Sequence, residues 1–184
     1  MSGQQESVYI TFDDCPSPEV TPWVLDLLKK NGAHATFFCV GENVKRYPEI
    51  YQRILLEGHT VGNHTMRHEK GSQTDTKVYL SSIDKASEYI SGRLFRPPYG
   101  RITWKQASFV RRKFRLIMWT WLSYDYDSSV PIDRVIQNAK KGVRSGDIVV
   151  FHDNVKSFER LQHILPEFLQ VLEEKKLRSL PIEV

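Results

Sequence analysis

Short runs rich in β-branched and aromatic residues alternate with amphipathic stretches along almost the whole chain. Residues 8–12 (VYITF) predict a strand, residues 21–30 predict a helix that opens on a Thr-Pro pair and closes before Asn-Gly, and residues 35–40 (ATFFCV) predict a second strand. Strands that alternate with helices in this way form βαβ units with parallel strands. The pattern therefore predicts an α/β fold with a mostly parallel sheet, either open or closed into a barrel.

The alternation continues to the C-terminus, and no linker, repeat or low-complexity stretch interrupts it. We therefore expect one domain over residues 1–184. Further helices are predicted over residues 48–57, 77–92, 104–113, 132–141 and 160–175, and further strands over residues 59–61, 94–95, 116–122, 148–151 and 179–182.

Composition narrows the class of protein. With 184 residues, 40% of them apolar, the chain is long enough to bury a sizeable core. Apolar runs such as residues 148–151 fall far short of the roughly 20 residues that a membrane span needs, so none is expected. The net charge of +4 is modest, and its basic clusters at residues 111–115 and 140–141 read as solvated faces rather than a nucleic-acid site. We take a monomer as the working assumption.

Polar side chains that can carry chemistry follow several of the predicted strands. In parallel α/β folds the loops after the carboxyl ends of the strands form the active site. His64 and His68 are four residues apart, a spacing that can hold one divalent ion if the segment is helical, and a carboxylate would complete the site. Taken alone, this pair fits ordinary histidines equally well, and Asp13-Asp14 alone fits a helix cap.

Five segments carry these residues in a characteristic order. They are residues 11–17 (TFDDCPS), 58–68 (GHTVGNHTMRH), 96–100 (RPPYG), 125–126 (DY) and 150–152 (VFH). In this order they resemble the five motifs of the NodB-homology polysaccharide deacetylases, carbohydrate esterase family 4, and the likeness spans residues 8–153. The resemblance implies an α/β fold of the distorted (β/α) barrel type with fewer than eight repeats.

The same resemblance implies a metal site. It assigns Asp14, His64 and His68 as ligands of a divalent ion, most often Zn²⁺ and in some members Co²⁺, Ni²⁺ or Mn²⁺. Two neutral imidazoles and one carboxylate suit such an ion and leave coordination positions open. Asp13 would then be the general base, and Arg96 would pair with it to hold it in place.

The remaining motif residues would complete the catalytic apparatus. The resemblance makes His152 the general acid, with Asp125 hydrogen-bonded to it so that its imidazolium form persists near neutral pH. The backbone N–H of Tyr99 would help to hold the oxyanion. Tyr126, with Leu or Val side chains near His152, would form the apolar pocket for the acetyl methyl group.

Three positions depart from the family pattern. Cys15 stands where the family usually has glycine, Leu122 where the fourth motif often begins with aspartate, and Tyr126 where that motif usually has tryptophan. For Cys15 we favour a small packed side chain over an additional metal ligand. Outside the motifs, Trp119 and Trp121 alternate as in a strand, which favours core packing over stacking on a sugar.

The expected function is a metal-dependent hydrolase that removes N-acetyl groups from a glycan of the chitin or peptidoglycan type. An O-acetyl esterase acting on a xylan-type hemicellulose would use the same residues. A third alternative is a carbohydrate-binding protein on the same scaffold without activity. The chain shows no export signal, yet the resemblance implies a glycan substrate that lies outside the cytoplasm or in the cell envelope.

Overall fold

The structure, a computed structural model, describes residues 6–183. Within that range no helix is both long enough and apolar enough to cross a lipid bilayer. The strands are β1 (Ser7–Cys15), β2 (Ala35–Cys39), β3 (Thr60–Asn63), β4 (Leu94–Phe95), β5 (Arg115–Leu116), β6 (Trp121–Leu122), β7 (Ile148–His152) and β8 (Arg178–Ser179). The α-helices are α1 (Thr21–Lys30), α2 (Gly41–Arg46), α3 (Pro48–Leu56), α4 (Thr76–Ala86), α5 (Trp104–Val110), α6 (Ile132–Gly142) and α7 (Val155–Glu174).

Seven of the strands form one continuous parallel sheet in the order β5-β4-β3-β2-β1-β7-β6, and β8 pairs with the first residues of β1. The central strand β1 carries Phe12, whose ring stacks on Phe37 of β2 and Phe151 of β7 at 5.1 and 5.8 Å between centroids. This buried centre confirms the predicted α/β class. Because all the strands run the same way, their carboxyl ends share one rim of the sheet.

The predicted strand over residues 116–122 is wrong, because the structure divides it between the two edges of the sheet. The N–H of Ile117 donates to the carbonyl of Phe95 in β4, whereas the N–H of Thr120 donates to the carbonyl of Ile148 in β7, both at 2.9 Å. The alternating apolar residues suggested one strand, but their backbone partners belong to opposite edges. Residues 117–120, hereafter the seam, therefore join the two edges and curl the sheet into a distorted barrel.

Other element boundaries also differ from the predictions. Helix α2 was not predicted, α4 ends at Ala86 instead of residue 92, and α7 begins at Val155 instead of residue 160. The earlier start of α7 has a local cause, because the Asn154 side chain accepts the N–H of Ser157 and caps the helix. Trp121 packs on Phe168 of α7 at 5.3 Å between ring centroids, so its predicted core role is confirmed.

Candidate metal centre and active site

The carboxyl ends of the strands bring the motif residues to one cleft of about 750 Å³. Of the eight residues predicted to bind the metal or take part in catalysis, six line this cleft, namely Asp13, Asp14, His64, His68, Tyr99 and His152, and so does Tyr126 of the predicted acetyl pocket. The other two, Arg96 and Asp125, are fully buried directly behind it. The structure thus brings all eight residues together, and the two buried ones contact residues that line the cleft, Arg96 with Asp13 and Asp125 with His152.

Asp14, His64 and His68 form a cluster that suits a metal ion. Oδ1 of Asp14 lies 3.0 Å from Nε2 of His68 and 3.6 Å from Nε2 of His64. Within residues 6–183 these three form the one group of three or more such side chains whose ligand atoms all lie within 4.8 Å of one another. Oδ1 is also buried without a hydrogen-bond partner, which is the environment expected of an oxygen that binds a cation.

Hydrogen bonding fixes the tautomer that His64 needs for this role. Its Nδ1 lies 2.8 Å from the carbonyl oxygen of Arg96, which can only accept, so Nδ1–H is the donor. The lone pair is then on Nε2, which faces Asp14. Burial lowers the pKa of His64, so the ring is held neutral. A metal-binding histidine is commonly oriented through its second ring nitrogen in this way.

Asp14 is held in the ionised form that a metal requires. Burial raises the pKa of its carboxyl, but the electrostatic effect of the adjacent His68 and His64 imidazoles outweighs burial and holds the pKa well below its usual range. A carboxylate beside two imidazoles is a suitable donor set for Zn²⁺.

The loop that presents the two histidines is not helical, contrary to the premise that their spacing suggested. Thr65 and His68 have positive φ angles of 66° and 61°, a conformation that side chains other than glycine rarely adopt. Side-chain hydrogen bonds hold the loop, because Asn63 accepts the N–H of Thr65 and Thr65 accepts the N–H of Glu69. The two rings meet at 5.0 Å between centroids through this irregular turn.

Asp13 forms a buried ion pair with Arg96. Nη1 of Arg96 lies 2.7 Å from Oδ1 of Asp13 and 2.6 Å from the Thr11 hydroxyl. The same guanidinium donates to the carbonyl oxygens of Ile117 and Met118 in the seam, at 3.3 Å each. Burial lowers the pKa of Arg96, but an arginine stays charged in proteins. Arg96 therefore ties the central strand to the seam while it orients Asp13.

On the other side of the cleft, Asp125 holds His152 by two hydrogen bonds. Its Oδ1 accepts Nδ1–H of the imidazole at 2.8 Å, and its Oδ2 accepts the backbone N–H of His152 at 2.6 Å. The hydroxyl of Ser123 donates to Oδ1 as well. Burial lowers the pKa of His152, but the hydrogen bond and charge of Asp125 outweigh burial and raise it to about 9. His152 is thus a cation at neutral pH.

Tyr99 lies in a tight turn at the wall of the cleft. Its φ of 58° places it in the left-handed region, and its side chain is 62% exposed with its ring 4.7 Å from that of His68. Gly100 follows it with φ of 62°, and a Cβ at Gly100 would come within 2.7 Å of Trp119. The turn is therefore braced against Trp119, a half-buried residue that lines the cleft. The prediction that Trp119 is a core residue is wrong in this respect, because it faces the site.

The three departures from the family pattern lie in the core or along the cleft. Cys15 is fully buried in the main hydrophobic core, its Sγ lies 3.2 Å from that of Cys39, and burial raises its thiol pKa well above the ordinary value. This confirms the packed side chain. Leu122 lines the cleft, and the ring of Tyr126 stands 5.0 Å from that of His152.

Two asparagines were missed by the sequence reasoning. Asn154 Nδ2 donates to Oδ2 of Asp14 at 2.7 Å, and Asn43 Nδ2 donates to the Asp14 backbone carbonyl at 2.8 Å. A signal for the first was present, since Asn154 directly follows the motif of His152 and precedes the amphipathic pattern of α7 as an N-cap residue does.

Comparisons with known proteins agree with this geometry. The family model described as polysaccharide deacetylase matches residues 1–112. The chain is 35% identical over 176 residues to a peptidoglycan-N-acetylglucosamine deacetylase of Bacillus cereus, covering 89% of this chain and 82% of the relative. It is 36% identical over 157 residues to a chitooligosaccharide deacetylase of Azorhizobium caulinodans, covering 81% and 74%.

Solved structures show the same fold. The peptidoglycan deacetylase PdaC from Bacillus subtilis superposes with a TM-score of 0.86 at 27% identity, covering 99% of this chain and 90% of that one. A family 4 carbohydrate esterase from Streptomyces lividans, in complex with acetate, superposes with a TM-score of 0.85 at 26% identity, covering 97% and 93%. The chain therefore belongs to the polysaccharide deacetylase family with NodB homology, carbohydrate esterase family 4.

Proposed function

We propose that this protein is a metal-dependent hydrolase that removes the acetyl group from N-acetylglucosamine units of a glycan. The observation that carries the proposal is the convergence of the Asp14-His64-His68 cluster, the Asp13 carboxylate and the cationic His152 on one cleft. The named relatives act on peptidoglycan and chitooligosaccharides, which supports this class of substrate. We further propose that the glycan lies outside the cytoplasm.

The metal is the first part of the proposed mechanism. A divalent ion, Zn²⁺ by preference, supplies Lewis acidity toward the acetyl carbonyl and toward water when bound. Asp14 offers Oδ1, and His64 and His68 each offer a ring nitrogen. Three protein donors leave at least one coordination position for water or substrate, as catalytic zinc sites require.

Asp13 is the proposed base. Arg96 occupies its Oδ1, so Oδ2 is the oxygen left to take a proton from the attacking water. The fixed contact with Arg96 also keeps the carboxylate from swinging toward the metal cluster. The adjacent residues Asp13 and Asp14 therefore divide the work, with one moving a proton and the other binding the ion.

His152 is the proposed acid. Because Nδ1–H is engaged by Asp125, Nε2–H is the proton that can reach the cleft. An amide nitrogen leaves readily only when it is protonated. A histidine with a pKa of about 9 is protonated at neutral pH and therefore suits the cleavage of an acetamide. The leaving amine would receive this proton as the C–N bond breaks.

Positioning groups would hold the acetyl moiety. We propose that the backbone N–H of Tyr99, a residue with a positive φ angle at the wall of the cleft, donates to the developing oxyanion. Leu122, Val150 and Tyr126 line the cleft and offer the apolar surface for the methyl group.

Acetate release is the deciding measurement. We expect release from chitin oligosaccharides or peptidoglycan, loss of release after treatment with a chelator, and recovery on adding Zn²⁺. Greater release from acetylated xylan would assign the chain to O-acetyl esterases instead. Tight glycan binding without acetate from any of these substrates would favour the carbohydrate-binding alternative and overturn the proposal.

A further inference from the structure

The two oxygens of the Asp14 carboxylate have different surroundings. Oδ1 faces His64 and His68 and is buried without a hydrogen-bond partner, whereas Oδ2 accepts Nδ2–H of Asn154 at 2.7 Å. One oxygen is thus directed at the metal position, and the other is engaged by an amide from the start of α7.

Asn154 cannot release this contact by turning its amide over. Its Oδ1 accepts the backbone N–H of Ser157 at 3.0 Å, which makes it the N-cap of α7. The Ser157 N–H can only donate and the Asp14 carboxylate can only accept, so a single amide orientation satisfies both partners. The amide is therefore fixed at both ends, between a helix of 20 residues and a metal-ligating carboxylate.

Backbone contacts complete the fixation of Asp14. Its φ of 76° is in the left-handed region, and Asn43 of α2 donates to its carbonyl oxygen at 2.8 Å. The contact from Asn43 sets where the backbone of Asp14 lies, but it does not choose between the two carboxylate oxygens. That choice falls to Asn154.

We propose that Asn154 is a positioning residue for the metal site, which holds Asp14 so that it binds the ion through Oδ1 alone. The proposal rests on the metal site of the proposed function. A carboxylate that uses one oxygen leaves more of the coordination sphere to water and substrate than one that uses both. Removing a residue that supports a metal ligand in this way typically costs about 10- to 100-fold in metal affinity.

The variant Asn154→Ser separates this role from helix capping. Serine is an N-cap residue of similar rank to asparagine, so α7 keeps its cap while Asp14 loses the amide donor. If the serine variant folds poorly, Asn154→Thr repeats the test, because threonine is also an N-cap residue. Ser157→Ala is the matched control, because it removes a nearby buried hydroxyl and keeps the backbone N–H that Asn154 accepts.

Three quantities are measured for each variant: the Zn²⁺ dissociation constant by competition with a chromophoric chelator, the melting temperature of the metal-free protein, and the visible absorption of the Co²⁺-loaded protein. We expect Asn154→Ser to bind Zn²⁺ about 10- to 100-fold more weakly. Its Co²⁺ absorption should fall in intensity, because a second oxygen from Asp14 raises the coordination number. Ser157→Ala should match the wild type in affinity and absorption.

Zn²⁺ affinity within twofold of the wild type in Asn154→Ser, together with an unchanged Co²⁺ spectrum, would show that Asn154 is a helix cap only. A wild-type protein that binds metal but releases acetate from no glycan would refute the proposed function and leave this role standing. A wild-type protein that binds no metal would refute both.

Discussion

The two sides of the cleft are built in different ways. On the metal side, Asp14 and His68 have left-handed backbone conformations, Asp14 at an irregularity near the end of strand β1 and His68 in an irregular loop. On the acid side, His152 closes the regular strand β7, and one carboxylate, Asp125, holds both its ring and its backbone. The metal side therefore depends on several backbone conformations that support one another, whereas the acid side depends on a single side chain.

This difference makes the two sides separable by mutation. Loss of a metal ligand should remove the ion and all the chemistry that needs it. Loss of a proton-transfer group should leave the ion bound, and loss of a supporting carboxylate should mainly move a pKa. The predictions below follow that order of expected effect.

His64→Ala should have the largest effect. It removes a fully buried ligand, so we expect metal affinity to fall by more than the roughly 100-fold that a supporting residue costs, with activity lost in parallel. Metal content by elemental analysis and acetate release are measured together. His163→Ala, at an exposed histidine of α7, is the control and should change neither. Unchanged metal content in His64→Ala would place the site elsewhere.

Asp13→Asn should keep the metal and lose the chemistry. We expect kcat to fall by about 10²- to 10⁴-fold, the usual contribution of a positioned proton-transfer group, with Zn²⁺ bound as in the wild type. Asp84→Asn, at an exposed aspartate that pairs with Lys113, serves as the charge-matched control. If Asp13→Asn instead loses the ion and keeps its activity per bound ion, the division of roles between Asp13 and Asp14 is wrong.

Asp125→Asn should shift the basic limb of the pH–rate profile and have little effect on metal binding. The carboxylate raises the pKa of His152 to about 9, so the protonated acid is present below that pH and is lost above it. Without the negative charge the pKa falls toward or below its ordinary value of about 6.5, and the basic limb of the pH–rate profile shifts toward acid. At pH 8 the protonated fraction, and with it kcat, should drop by about 30-fold. A basic limb that stays in place would show that Asp125 merely packs the loop.

The sequence predicted the acid side more completely than the metal side. The motifs implied that Asp125 pairs with His152, and the structure contains this pair, with His152 at the end of the regular strand β7 and Asp125 in the turn that follows β6. The metal residues were identified, but the spacing of His64 and His68 was interpreted only for a helical segment, and the loop is instead held by left-handed residues and by Asn63. The loop is also held by long-range hydrogen bonds, from the Met66 N–H to the Ser82 hydroxyl and from the Gly41 N–H to the Thr65 carbonyl, which a single sequence does not display.

The seam shows the same limit for the fold. The alternation of Trp119 and Trp121 suggested one strand, yet the backbone partners of residues 117 and 120 lie on opposite edges of the sheet. Long-range pairing decides which edge each residue joins. Arg96 could be recognised from its motif, but its contacts with the seam could not, because they depend on how residues 117–120 cross between the two edges of the sheet.

Cys15→Ala should have the smallest effect on the site, and it tests whether a residue next to a metal ligand belongs to the metal side at all. The Cys15 side chain packs in the core beside Cys39 and away from the ligand cluster, so Zn²⁺ affinity should stay within twofold of the wild type. Loss of the buried sulfur should lower the free energy of unfolding by about 1 kcal/mol, as for other small core truncations. Cys39→Ala is the matched variant, because it removes the β2 side of the same sulfur contact. It should lower the free energy of unfolding by a similar amount, measured by chemical denaturation. A clear fall in metal affinity for Cys15→Ala with no such fall for Cys39→Ala would mean that the thiol acts on the metal, and the packed interpretation of this departure from the family would be wrong.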